Sequence, residues 1–490
     1  MAPTSMTNRS TGMARGVPKG LRLAVALALG LAAAGCSTLG SVKDTLFGTG
    51  TSVGQPGYVK GFLGEVVADE PRAALAGKEV LSSGGNAADA AVAIGLSLAV
   101  TLPSRAGLGG GGACVAYGAS PNGLAKGVPE AIMFVSPASR SLGAGDRPAA
   151  VPMLARGMFV LHVRYGKLGF DTLINKAEQL AQVGVPVSRA LARDLVLVAG
   201  PLFADPAARA TFGSGGVPLT EGQRMLQPDL AATLAQMRIA GVGDLYLGVL
   251  ARRIEQASPS AGVPIGLADL RAALATIVQP VVVPFGDDKV AFPPTDGGLA
   301  AAAALMALNS QSADTQTAFL RSLAAAARWR SGGANSDQVL NGDLVAPTTV
   351  PLYPASTTFA TLDPEGNAVA CALTMNNLFG TGRIVPGFGF LAAASPATVT
   401  PPLLSAGVAW SPRKNAFHVA AGGSGQAGAA LAAAFALSSS LHSGQPMQTP
   451  PPDPGRANVI SCGRYLPGSE SDCSAVTDPR EAGLAAGGGS

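Results

Sequence analysis

Ser356, Thr357 and Thr358 stand together directly after a stretch with no periodicity and directly before a strand-like pattern. That placement has a specific chemical use. If the backbone is cut before a hydroxyl residue, the new α-amino group lies within reach of that residue's own hydroxyl. With an unperturbed pKa of about 7.7–8.0, the amine acts as a general base near neutral pH without any histidine. The same hydroxyl makes the cut by attacking the carbonyl that precedes it. Such a site needs a strand to hold the nucleophile, a neighbouring hydroxyl to orient it, and backbone N–H groups to stabilise an oxyanion.

The elements around these residues supply those parts. Ser331 to Ala355 (SGGANSDQVLNGDLVAPTTVPLYPA) reads as an exposed, flexible segment. Two β-type runs follow, Ser356 to Leu362 and Ala368 to Thr374, joined by Asp363-Pro364-Glu365-Gly366-Asn367 as a hairpin. A further strand, Ala416 to Ala421, runs into Gly422-Gly423-Ser424-Gly425-Gln426, and a small-residue helix starts at Ala427. Upstream, Gly84-Gly85-Asn86 signals the start of a helix over Ala87 to Leu102, with Asp89 in its first turn. Gly107 to Gly112 (GLGGGG) leads into the strand-like run Ala113 to Tyr117. No Lys-Ser/Thr pair follows those glycines, so they read as a tight turn rather than a phosphate loop. Residues 151–330 are mostly helical in pattern, and the last dozen residues read as disordered.

At 490 residues the chain is long enough for a large core and, by length alone, for two or three domains. Hydrophobic residues make up 48% and charged residues 13%, with mean hydropathy +0.32, which leans towards a membrane or envelope setting. Beyond the N-terminus, however, the apolar runs are rich in Ala and Gly and are interrupted within about twenty residues, which suits a globular core better than a bilayer. The net charge of +4 is too mild, and too scattered, for nucleic acid. Arg15, Lys19 and Arg22 form a basic region before the apolar run Leu23 to Ala34. That run ends in Ala33-Ala34-Gly35-Cys36, which resembles a bacterial lipobox and makes Cys36 the expected lipidation site. An ordinary signal peptide followed by a chance cysteine is the alternative. Ser37 after the cysteine favours, by the same resemblance, the outer membrane and a periplasm-facing protein. Cys462 and Cys473 flank a short loop and are expected to form a disulfide in an oxidising compartment. Cys114 and Cys371 lie in apolar strand-like runs and read as inert buried thiols. His162, His418 and His442 are scattered, so no metal spacing exists and no cofactor is expected.

The run STTFATLDPEGNAVACALTMNNLFGTG resembles the start of the small subunit of γ-glutamyltranspeptidases, and SSGGNAADAAVAIGLSLAVTLPSRAGLGGGG resembles that family's upstream glycine signature. Shorter matches at Tyr165-Gly166-Lys167-Leu168, Val187-Ser188, Gln227 to Ala231 and Gly266 to Leu270 lie between them. The resemblance implies an α/β (α+β) fold, the four-layer αββα sandwich of N-terminal-nucleophile hydrolases. It implies a large-subunit part over 58–355 and a small-subunit part over 356–477, to which the residues themselves add a signal peptide and lipobox over 1–36, a Gly-, Ser- and Thr-rich tether over 37–57 and a disordered tail over 478–490. It also implies autocatalytic cleavage between Ala355 and Ser356, association of the two fragments, and transfer of a γ-glutamyl or other acyl group to water or an amine.

Counted back without a gap from Gly366-Asn367, the family's catalytic threonine falls on Ser356 and its second threonine on Thr357. Counted from the Thr-Thr pair, Thr357 becomes the nucleophile, with one residue deleted before the turn. A one-residue slip reverses which side chains face inward, which favours the ungapped count. In that register Thr374 matches the threonine that supports the nucleophile, and Asn376 the asparagine that holds the substrate's glutamyl end. Ser424 and Gly425 match the oxyanion loop. Two departures concern the substrate. The run expected to carry a carboxylate-binding arginine is Met133-Phe134-Val135-Ser136-Pro137, and the expected acidic loop is Ala392-Ala393-Ala394-Ser395-Pro396. The alternative function is therefore a weak or inactive family member serving as an envelope binding or structural lipoprotein.

Overall fold

Helix boundaries follow capping chemistry. Helix α1 (Pro71–Ser82) has proline in its first turn, and the Glu70 carboxylate before it accepts from Ala73 N at 2.8 Å. Helix α2 (Ala87–Thr101) starts at the Asn86 signal. Asn86 accepts from Asp89 N at 2.9 Å, and Asp89 accepts from Asn86 N at 3.1 Å. Every residue of α2 is buried, and a run of Ala, Gly, Val and Leu is what such a helix requires. The computed structural model describes residues 61–119, 127–141, 145–310, 314–332, 334–347, 349–350, 352–468 and 472–487. Cys36, the apolar leader and the segment 37–57 lie outside them.

Strands β1 (Glu65–Ala68), β2 (Gly111–Tyr117) and β3 (Glu130–Phe134) alternate with α1 and α2. Helices α3 (Leu154–Tyr165), α4 (Phe170–Val183) and α5 (Arg189–Leu202) follow. The mostly helical reading of 151–330 needs correcting over 276–292, where β4 (Thr276–Val278), β5 (Val281–Phe285) and β6 (Asp288–Phe292) form. Strands this short, one holding Pro284, leave little alternating pattern to read; β5 lies at a sheet edge, where proline removes no ladder bond. Next come α6 (Asp296–Leu308), α7 (Thr315–Ser331) and a short α8 (Ser336–Asn341), the last within the segment expected to be irregular. Asn335 and Gln338 form a capping box that starts α8. The hairpin β7 (Ser356–Leu362) and β8 (Ala368–Thr374) precedes β9 (Ser405–Ser411), β10 (Ala416–Ser424), α9 (Ala429–Ser443), β11 (Arg456–Leu466), β12 (Cys473–Thr477) and β13 (Leu484–Gly487).

Besides two two-stranded sheets, two large antiparallel sheets result among the described residues. Their strand orders are β13-β1-β7-β8-β2-β3-β4 and β12-β11-β10-β9-β6-β5. The period-2 alternation of β7 divides the layers. Phe359 joins the core beneath α2 and α3, whereas Ala360 and Leu362 meet Val408, Phe417 and Ile460 of the second sheet. The outer face of that second sheet packs under α6, α7 and α9 through Val290, Val419 and Val459. The molecule is thus a four-layer αββα sandwich. Its apolar composition fills Ala-rich helices that lie close to the sheets, and among the described residues no helix is long and apolar enough to cross a membrane.

Two expectations are overturned. The tail over 478–490 is not wholly disordered, because β13 pairs with β1, Glu65 opposite Gly487 and Ala68 opposite Leu484. The pairing satisfies an edge that would otherwise expose bare N–H and C=O groups, and small residues gave no strand signal. Cys114 and Cys371 are not thiols. They sit opposite each other on β2 and β8 and form a disulfide. Each run taken alone shows only a buried cysteine; the register of two strands 257 residues apart makes the pair. A second disulfide joins Cys462 to Cys473 across β11 and β12.

Candidate active site

The hairpin that carries the site is set by its turn. Asp363 accepts from Glu365 N, Asn367 N and Asn367 Nδ2, and also from Ala87 N at the start of α2. The carboxylate therefore closes the turn and ties it to the helix layer. The resulting register puts Ser356 opposite Thr374 and Leu362 opposite Ala368.

Ser356 and Thr357 consequently face opposite ways. Thr358, on the same face as Ser356, meets the second sheet at Gly422, where a Cβ would stand 2.5 Å from Thr358 Cβ. Glycine there lets the sheets close up beside the strand end. Ser356 is 1% exposed, and its Oγ has no hydrogen-bond partner. The Thr357 hydroxyl is committed: it donates to Asp69 Oδ2 at 2.8 Å. Asp69 also accepts from Thr358 N at 3.0 Å and from Asn458 Nδ2 of β11 at 2.7 Å. Asp69 and Asn458 thus fix the strand from behind. Nothing in their sequence context marks them, since they reach β7 from positions 288 and 100 residues away.

A relay of hydrogen bonds runs on the other strand. Thr374 Oγ1 donates to the carbonyl of Ala355, the residue before Ser356, at 2.6 Å, and accepts from Asn376 N at 2.8 Å. Asn376 has φ +62°, sparsely populated for a non-glycine residue, so the structure holds it bent. Its Nδ2 donates to Ala394 O at 2.9 Å, while its Oδ1 is buried without a partner. The GLGGGG turn lies alongside: a Cβ on Gly110 would stand 2.3 Å from Thr374 O, so only glycine passes there. Arg105, just before that turn, makes a bidentate buried pair with Asp194 of α5, at 2.8 and 2.9 Å. Burial alone would weaken the guanidinium's charge, and Asp194 overrides it, holding Arg105 firmly protonated.

Ser424 ends β10 two residues beyond Gly422, on the same face towards β7, and Gly425 follows with φ +97°. Of the residues anticipated for the site, the structure groups Ser356, Thr374 and Asn376 around the Ala355 carbonyl and sets Ser424 across the sheet gap. Thr357 is turned away from that gap. Gln426 Nε2 donates to Leu352 O, so the segment before Ser356 crosses this loop.

A cleft of about 400 Å³ opens beside Thr374 and Asn376. Met133 and Val135, from the run where a carboxylate-binding arginine was expected, form part of its wall. Sequence reasoning missed the cation that does line it. Arg330, at the end of α7, pairs with Asp296 of α6 at 2.6 Å and donates to the carbonyls of Thr349 and Pro401.

A four-layer sandwich with a hydroxyl residue opening an inner strand, directly after a long connecting segment, is the architecture of N-terminal-nucleophile hydrolases. Cephalosporin acylase from Bacillus halodurans superposes with TM-score 0.70 at 19% identity, covering 89% of this chain and 98% of that one. Within that class the chain belongs to the gamma-glutamyltranspeptidase family, whose model matches residues 73–332. That match ends before the β7–β8 hairpin. Glutathione hydrolase 3 of Arabidopsis thaliana is 26% identical over 394 residues, 70% of this chain and 62% of that protein. The glutathione hydrolase proenzyme of Escherichia coli is 26% identical over 387 residues, 67% of this chain and 65% of that one. The match therefore spans less than two thirds of the length of either relative.

Proposed function

We propose that the chain is a self-processing amidohydrolase or acyltransferase whose nucleophile is Ser356. The observation that carries this reading is the pairing of an unpartnered, buried Ser356 Oγ with an Ala355 carbonyl already held by the Thr374 hydroxyl. In processing, Ser356 Oγ attacks the Ala355 carbonyl carbon and Thr374 stabilises the developing oxyanion. The Ala355–Ser356 C–N bond breaks, and the hydroxyl proton ends on the new amine. Water then hydrolyses the ester, leaving a carboxylate on Ala355 and a free N-terminus on Ser356. In turnover that amine takes the hydroxyl proton as Oγ attacks a substrate amide, and the leaving amine departs with a proton. Water or a second amine attacks the acyl ester and restores Ser356. The proenzyme designation of the E. coli relative supports the processing step. For residues outside the described set, we propose lipidation at Cys36 and an outer-membrane, periplasm-facing location.

The test is a reducing denaturing gel of the purified chain with N-terminal sequencing. Two bands, the smaller beginning at Ser356, are expected, and Ser356→Ala should leave one. A single band for the unaltered chain, or cleavage that survives Ser356→Ala and vanishes in Thr357→Ala, overturns the assignment. Loss of labelled palmitate incorporation in Cys36→Ala tests the anchor.

A further inference from the structure

The cleft beside Thr374 and Asn376 says what acyl group the proposed nucleophile takes. Its walls are Met133 and Val135 from the end of β3, Trp329 from α7, and Pro401, Pro402 and Leu404 before β9. Its described charged residues are Asp296 and Arg330, and these neutralise each other. Asp296 opens α6 and Arg330 closes α7, each at the helix end whose dipole favours its charge. With the Arg330 bonds to Thr349 O and Pro401 O, the pair fastens two helix ends and two loops together. A substrate carboxylate or ammonium entering the cleft would have to break that arrangement. Two polar atoms next to Thr374 are different in kind: Ser356 Oγ, on the residue opposite it, and Asn376 Oδ1, two residues on, are both buried and without partners.

We infer that the donor substrate is an amide of an apolar acyl group, aliphatic or arylalkyl, rather than an α-amino-acid zwitterion such as a γ-glutamyl group. This rests on the reading of Ser356 as nucleophile. The acyl chain lies against Met133, Val135 and Trp329, and Asn376 Oδ1 accepts a hydrogen bond from the amide N–H next to the carbonyl under attack. Burial of each methylene contributes a nearly constant increment, so turnover rises with chain length until the cleft is filled. A zwitterion gains nothing here for two desolvated charges.

Two measurements separate this inference from the reading beneath it. Binding is followed in the uncleaved Ser356→Ala chain, which needs no chemistry, by fluorescence of Trp329 with Trp410→Phe removing the other tryptophan. Hexanamide and phenylacetamide should bind at least tenfold more tightly than L-glutamine, and Val135→Arg should abolish the preference. Turnover is followed in the processed chain with p-nitroanilides of acetyl, butyryl, hexanoyl, phenylacetyl, glutaryl and γ-L-glutamyl groups. The expected result is a kcat/KM rising about fourfold per methylene along the aliphatic series, with hexanoyl at least tenfold above glutaryl and γ-glutamyl. Preference for glutaryl or γ-glutamyl in either measurement overturns the inference and leaves the nucleophile standing. Apolar binding without cleavage or turnover overturns the nucleophile and leaves the acyl specificity of the cleft standing.

Discussion

Thr374→Val removes one hydroxyl and two hydrogen bonds while keeping the shape of the side chain. In the folded chain that hydroxyl donates to Ala355 O at 2.6 Å and accepts from Asn376 N at 2.8 Å, with Thr374 1% exposed. Two losses follow, and they are separable. The buried Asn376 N–H is left without an acceptor, which costs about 1–3 kcal/mol of stability. The Ala355 carbonyl loses its donor where negative charge develops, and loss of one such donor slows acyl chemistry by about 10²–10³. Thr357→Val is the control: it loses a bond of 2.8 Å, to Asp69, on the opposite face of the same hairpin. It should cost similar stability and leave cleavage within about tenfold. The assay is the time course of the small fragment on reducing gels, read beside urea unfolding of both variants. Cleavage by Thr374→Val within threefold of the unaltered chain would refute the reasoning, and so would equal slowing by both variants. In the second case the loss would come from a loosened hairpin and not from the carbonyl.

The Cys114–Cys371 disulfide joins the segments on either side of the proposed cut. The processed chain should therefore run as one band on a non-reducing denaturing gel and as two after reduction, and Cys371→Ala should give two bands without reductant. Burial raises the Glu65 carboxyl from its ordinary 4.5 to about 7, only partly opposed by Lys78. The folded chain then keeps a proton between pH 4.5 and 7 that the unfolded chain has released. Stability is greatest below pH 4.5 from this group and falls as pH rises through 7, by about 3–4 kcal/mol in all. Urea midpoints at pH 5 and 8 should differ accordingly, and Glu65→Gln should remove that part of the difference; an unchanged pH dependence counts against it. Asp69→Asn keeps the size of the side chain but removes a charge that accepts from Thr357, Thr358 N and Asn458. It should lower stability by about 1–3 kcal/mol, measured by the same unfolding, with a loss below 0.5 kcal/mol speaking against its place behind the strand.

What the sequence alone determined is mostly local. The hairpin over Ser356–Leu362 and Ala368–Thr374 has the observed bounds, because period-2 alternation and a five-residue turn of Asp, Pro, Glu, Gly and Asn leave one register open. The Asn86 start of α2 was legible for the same reason: caps act within three residues. The family followed from long motifs in a consistent order. The tertiary structure decided what depends on distant partners. Whether Ser356 or Thr357 has a free hydroxyl is settled in space by Asp69, which no neighbour in sequence announces. Two inert-looking cysteines became a disulfide because β2 and β8 are paired, and a featureless tail became β13 because β1 offered an open edge. Arg330 reaches the cleft from the end of α7, whereas the run Met133 to Pro137 at the end of β3 brings only uncharged side chains. Periodicity and capping are written over a few residues, whereas the partners of a buried hydroxyl, a thiol or a charge are chosen by folding.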